Sequence, residues 1–183
     1  MAYPTTLDSF TTWVDNVDTI MAAHINDVQT ALVAIETELG ISTDRPKFLA
    51  YNSATDTDVT GDGTVATVDV DTEVFDDGAD FATDTFTAPV AGRYLFAANV
   101  RFSGQTSNNT SAWLSIVTSN RTYTGDRVNP YASIFSLSCV VIADMDAGDT
   151  AYVTLTVSAT DKGVDIYGHG SAVATYFCGA KLP

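Results

Sequence analysis

Basic residues are scarce in this sequence. Eight Lys and Arg stand against 23 Asp and Glu in 183 residues, leaving a formal charge of -15 and an isoelectric point near 4.1. Binding nucleic acid through its phosphates needs clustered cations, so that class of partner is excluded. Histidine and cysteine occur twice each. They fit no zinc spacing, and two cysteines make no disulfide framework. Cys139 and Cys178 sit in apolar, strand-like surroundings and read as buried free thiols, a bridge being open to them only if their strands are neighbours. His169 lies in a Gly-flanked turn with no motif pairing it to a nucleophile, and no Gly-rich phosphate loop occurs. Aspartates are plentiful, but Asp favours turns for backbone reasons, so no glycosidase-like pair stands out. The expectation is a protein without enzymatic activity. Apolar runs such as 139–143 fall far short of the ~20 residues that span a bilayer. Positions 1–9 offer neither the basic segment nor the apolar stretch of a secretory leader.

What is present divides into unlike parts. Phe10, Val14, Val17, Met21, Ile25, Val28, Leu32, Ile35 and Leu39 recur at intervals of three and four. That spacing keeps an apolar stripe on one face of a nearly straight helix. Asp8 or Ser9 can cap its start, while Gly40 with Pro46 beyond supplies a stop. We expect an extended segment at 1–9, one helix at 10–40 and a polar linker at 41–47. A strand-rich domain at 48–183 follows. An exposed stripe must find cover, either on its own domain or on other copies.

From residue 48 onward, short alternating runs are separated by Asp, Thr, Gly and Pro turns, the pattern of an antiparallel sandwich. One loop invites a metal reading. Asp58, Thr60, Asp62 and Asp69 place oxygens at positions 1, 3, 5 and 12 of a calcium-loop template, making Asp58, Asp62 and Asp69 candidate ligands. Against it, position 3 is Thr, position 12 is the shorter Asp, and strand alternation already begins at Val65. No other cofactor is expected.

The longest alternating run is Tyr94, Phe96, Ala98, Val100 and Phe102, entered through the corner Phe86-Thr87-Ala88-Pro89-Val90-Ala91-Gly92. This stretch resembles the Phe-Thr-Ala-Pro and Gly-x-Tyr-x-Phe signature of C1q/TNF-like jelly-roll domains. Phe48-x-Ala50-Tyr51-Asn52 resembles that family's opening strand. Glu73 to Gly78 with Phe81, Ala147-Gly148-Asp149-Thr150 and Tyr176-Phe177-Cys178-Gly179 resemble later segments. The resemblance covers about three quarters of the chain. It implies an antiparallel jelly-roll knob, with Phe86, Tyr94, Phe96 and Phe177 in its core. It also implies a homotrimer, in which Val14, Val17, Met21, Ile25, Val28, Leu32, Ile35 and Leu39 would form the seam of a three-helix stalk.

The opening carries a second resemblance. Tyr3-Pro4-Thr5-Thr6-Leu7, then His24-Ile25-Asn26 and Ile35-Glu36-Thr37-Glu38-Leu39-Gly40, is similar to the N-terminus of many tailed-phage virion proteins. It implies docking on capsid or tail proteins through Tyr3, Pro4, Leu7 and Phe10, with the knob projecting from the virion surface. The expected function is that of a head-fibre, capsid-decoration or tail-fibre component. The alternative is a tip that binds a host surface receptor or glycan through outer-loop groups such as Tyr123, Tyr131, Asn108 and Asn129. A thirty-residue helix reaches only ~45 Å at 1.5 Å per residue, short for a fibre shaft, and so favours the first.

Overall fold

The structure is a computed structural model and describes residues 22–38, 45–130 and 134–183. The chain divides into two compact units, Met1–Ser42 and Thr43–Pro183. In the first, helix α1 spans Ala22–Glu38. Its seam positions Ile25, Val28, Leu32 and Ile35 are exposed, at 53 to 61%. Val14, Val17, Met21 and Leu39 of the expected seam, and the docking residues Tyr3, Pro4, Leu7 and Phe10, lie outside the described residues.

The second unit is an antiparallel sandwich of two sheets. Its strands are β1 (Lys47–Tyr51), β2 (Ala54–Thr60), β3 (Val65–Thr67), β4 (Thr72–Asp77), β5 (Phe81–Ala82), β6 (Thr85–Thr87) and β7 (Gly92–Ser103). They continue with β8 (Ser111–Thr118), β9 (Thr122–Val128), β10 (Ile134–Met145), β11 (Thr150–Ser158), β12 (Val164–His169) and β13 (Tyr176–Lys181). The larger sheet runs β2-β12-β7-β13-β1-β4, with β10 also on β7; the smaller runs β5-β6-β11-β8-β9, with β3 also on β11. The aromatic strand β7 is the pivot of the larger sheet. β10 pairs with it from Gly92 to Ser103, so β13 and β12 share its other edge.

Strict alternation explains why β7 sits there. Tyr94, Phe96, Ala98, Val100 and Phe102 are each 2% exposed or less, because every second side chain enters the space between the sheets. Phe48 anchors the core from β1, stacked at 4.7 Å on Phe81 and 4.9 Å on Phe86, and edge-on to Phe177 at 4.9 Å. Offset and edge contacts of this kind add to the burial of the rings. Gly179 is required by that packing: a Cβ there would stand 2.5 Å from Phe96 and 2.8 Å from Phe48. The corner before β7 is held by Tyr94, whose buried hydroxyl donates to the Val90 carbonyl at 2.7 Å.

Candidate functional site

Antiparallel pairing brings the outward residues of distant strands into rows. Val140 of β10 faces Ala97 of β7, Ala97 faces Cys178 of β13, Cys178 faces Leu49 of β1, and Leu49 faces Phe75 of β4. One row away, Ile142, Leu95 and Ala180 align in the same manner. Together they form an apolar band across the outer face of the larger sheet. Val140 is 66% exposed, Ile142 57%, Phe75 43% and Leu95 38%. Antiparallel sheets that face water normally turn polar residues outward. A contiguous apolar patch of this kind marks an interaction surface.

The band has polar borders. On one side the row of Ile142, Leu95 and Ala180 itself ends in Lys47, which binds Asp77 at 3.0 Å. On the other runs a row of Ser138, Asn99, Tyr176, Tyr51 and Thr72, in which the Ser138 hydroxyl donates to Asn99 at 2.8 Å. Beyond it, the Arg101 guanidinium lies over the Tyr167 ring at 4.6 Å. Cys178 sits half-buried near the middle of the band, and burial pushes its thiol up. Cys139 belongs to the inner face of β10, is buried, and its thiol is likewise raised by burial. The two free thiols therefore occupy opposite faces of the sheet, and no bridge joins them.

The sequence patterns did not disclose this band. One signal pointed to it: alternation fails at Cys139-Val140-Val141-Ile142-Ala143, where both faces of β10 are apolar. The rest of the row comes from four other strands and appears only once the register is known. Phe86, Tyr94, Phe96 and Phe177 are all 1% exposed or less, within the inter-sheet core.

The three calcium-loop candidates engage separate partners. Asp62 closes a local turn by accepting the Thr64 N–H at 2.9 Å, and the Thr64 hydroxyl and amide hold its carboxyl below the usual range. Asp58 lies on β2 in the left-handed region (φ 56°), its N–H donating to Asp165 at 2.9 Å. Asp69 faces a different set of carboxylates, Asp84, Asp56 and Asp71. Among the described residues, no three His, Cys, Asp or Glu side chains converge on a metal position. The template assumed one continuous loop, whereas strand β3 runs straight from Val65 and carries position 12 away.

His169, the remaining candidate for proton transfer, is engaged in backbone structure. Its Nδ1 accepts the N–H groups of Ser171 and Ala172, both at 3.1 Å. Asn109, on an outer loop, is buried and donates to Gly61 O at 3.3 Å, while Asn108 and Asn129 are exposed. Tyr123 is partly buried against the core, and Tyr131 lies outside the described residues.

No protein-family model matches the sequence, and a search of curated proteins found no match. Similar solved structures do exist. The globular domain of zebrafish complement 1qA protein aligns over 75% of this chain and 98% of its own, at 16% identity and a TM-score of 0.54. Murine APRIL at pH 8.5 aligns over 76% of this chain and 100% of its own, at 16% identity and a TM-score of 0.51. At that identity the likeness is one of fold, an antiparallel C1q/TNF-like jelly-roll sandwich.

Proposed function

From a C1q/TNF-like sandwich with an apolar outer face, we propose that this chain is a non-enzymatic structural protein that acts as a homotrimer on the surface of a tailed virus particle. The apolar band from Val140 to Phe75 carries the self-association part of this reading, because a contiguous patch of that kind calls for cover. The stripe Ile25, Val28, Leu32 and Ile35 is its counterpart on the leading helix, where three copies would meet along a stalk. The attachment part rests on the resemblance of the opening segment to tailed-phage virion proteins. Tyr3, Pro4, Leu7 and Phe10 dock it on capsid or tail proteins, and the sandwich projects as a head-fibre, decoration or tail-fibre component.

Light scattering in native solution tests the assembly. A mass three times the 19.4 kDa chain is expected, and a single-chain mass would refute the trimer. The double variant Ile25→Asp, Leu32→Asp tests the stalk: it should lower the trimer's resistance to dilution while leaving the sandwich folded. For attachment, trimming residues 1–9 should release the protein from particles, and retention would refute the docking role.

A second reading, adhesion to a host glycan or receptor, is favoured by one observation on the smaller sheet. Trp113 is partly exposed on its outer face, with the Arg127 guanidinium 4.7 Å from its ring centroid and bound to the Ser111 hydroxyl at 3.4 Å. An aromatic ring beside a cation and hydroxyls suits an acidic sugar. Binding to a panel of acidic glycans that is lost in Trp113→Ala would establish it.

A further inference from the structure

Two arginines of the sandwich lie over aromatic rings, one on each outer face, and they differ in what else they touch. On the smaller sheet the Arg127 guanidinium is 4.7 Å from the Trp113 ring centroid and donates to the Ser111 hydroxyl at 3.4 Å. On the larger sheet the Arg101 guanidinium is 4.6 Å from the Tyr167 ring centroid. The chain carries 23 Asp and Glu, yet among the described residues no carboxylate pairs with Arg101 and no acceptor takes its side-chain N–H groups. A guanidinium keeps its charge at any ordinary pH, so this one is a fixed cation with a full fork of donors to spare.

The strand register explains why the fork is held in place. Phe102 of β7 faces Ile166 of β12, which sets the outward residues Arg101 and Tyr167 side by side, and Ser136 of β10 faces Arg101 from the other edge. Beneath them Thr175 is 1% exposed, and its hydroxyl accepts the Arg101 N–H at 3.2 Å and donates to Tyr167 O at 2.6 Å. That one buried hydroxyl locks the two backbones together. Tyr167 stacks on His169, with ring centroids 6.3 Å apart and planes 8° from parallel. The His169 ring is anchored because its Nδ1 accepts the Ser171 and Ala172 N–H groups, which puts its own proton on Nε2 as a donor. Tyr51 steadies the same turn by donating to Gly170 O at 3.3 Å.

We propose that Arg101, Tyr167, His169 and Ser136 form a binding site for a sugar that bears a carboxylate, of the uronic or sialic acid class. A guanidinium already stacked on a ring loses little freedom on binding, and its planar fork matches a carboxylate through two parallel hydrogen bonds. The Tyr167 and His169 rings supply flat apolar faces, while His169 Nε2 and the exposed Ser136 hydroxyl supply donors for ring hydroxyls. Extended polyanions are disfavoured, because a formal charge of -15 repels them and one cation cannot offset it. A single carboxylate on an otherwise neutral ligand suits that balance. The site lies on the opposite face from Trp113 and does not depend on sugar binding there.

The test titrates the full chain with glucuronate, N-acetylneuraminate, glucose and acetate, followed by NMR of the Arg101 Nε–H and the Tyr167 ring. Glucuronate or N-acetylneuraminate should shift both saturably, with an affinity on the order of millimolar for a single sugar residue. Glucose and acetate should each bind at least about tenfold more weakly, since each offers half of the recognised chemistry. Arg101→Lys keeps the charge and loses the fork, so affinity should fall about tenfold. Arg101→Gln should abolish binding, and Trp113→Ala should leave it unchanged. The absence of a saturable shift at Arg101 in the wild type would overturn the site, whatever the variants do. Acetate binding as tightly as glucuronate would also overturn it, as a site for an adventitious anion only. Binding lost in Trp113→Ala and kept in Arg101→Gln would place the sugar on the smaller sheet instead. A fall in mass of Arg101→Gln by light scattering would overturn it too, since the guanidinium would then serve a neighbouring copy.

Discussion

The two outer faces of the sandwich share a geometry and differ in chemistry. On the smaller sheet, Thr67, Thr154, Ser115 and Thr124 align in one row, and Val65, Thr156, Trp113 and Arg127 in the next. Two polar contacts lie within the face: Ser115 meets Thr124 at 3.2 Å, and Arg127 donates to the Ser111 hydroxyl at 3.4 Å. The corresponding rows of the larger sheet hold Val140, Ala97, Cys178, Leu49 and Phe75, then Ile142, Leu95 and Ala180. A polar face satisfies itself and can end in water, whereas an apolar one gains free energy only by meeting another surface. The larger sheet therefore carries the more apolar of the two outer faces.

The hardest way to break this comparison is to remove what both faces are built on. Phe96→Ala empties the inner side of β7, where the ring contacts Phe48, Phe86, Tyr94 and Phe177. A loss of about 3–5 kcal/mol is expected, measured by urea unfolding, because the neighbouring rings cannot fully close the cavity. A sharper test separates the faces. Val140→Asp places a charge in the apolar band, and an unpaired charge buried at an interface costs about 3–5 kcal/mol, roughly two to four orders of magnitude in association. The proposed trimer should dissociate in light scattering while unfolding of the single chain barely changes. Thr124→Asp, exposed on the opposite face, should leave the mass untouched. Equal effects from both would show that the faces are not functionally distinct.

How much of this was legible beforehand depends on range in the sequence. The inner face of β7 could be read from five residues at a period of two, because one-sided burial imposes that period locally. The corner before it was legible for a similar reason: Pro89 and Gly92 restrict or free the backbone within a few residues. The outer band was not, since Leu49 and Cys178 are 129 positions apart and meet only through β1–β13 pairing. Spacing was no guide to Asp58, Asp62 and Asp69 either: a template of loop positions carries no information on strand β3, which runs between Asp62 and Asp69. The left-handed turn at Thr83 and Asp84 had no glycine to announce it.

The smallest expected effect falls on neither outer face and so calibrates the others. Tyr94→Phe keeps the ring against Phe86 and Phe96, at 5.4 and 6.0 Å, and deletes only the hydroxyl that donates to Val90 O. Val90 is 45% exposed, so water can reach the freed carbonyl and the full penalty for a buried orphan acceptor does not apply. A loss of about 1 kcal/mol is expected, or about 2–4 °C in melting temperature for a chain of this size. The trimer mass should not change. Burial raises the Tyr94 hydroxyl above its ordinary value of 10.0. Its stabilising contribution is therefore present below that pH and is lost as alkali ionises it. Wild type and Tyr94→Phe should converge in melting temperature as pH climbs past 10, and a difference that persists there would assign the effect to ring packing instead of the corner bond.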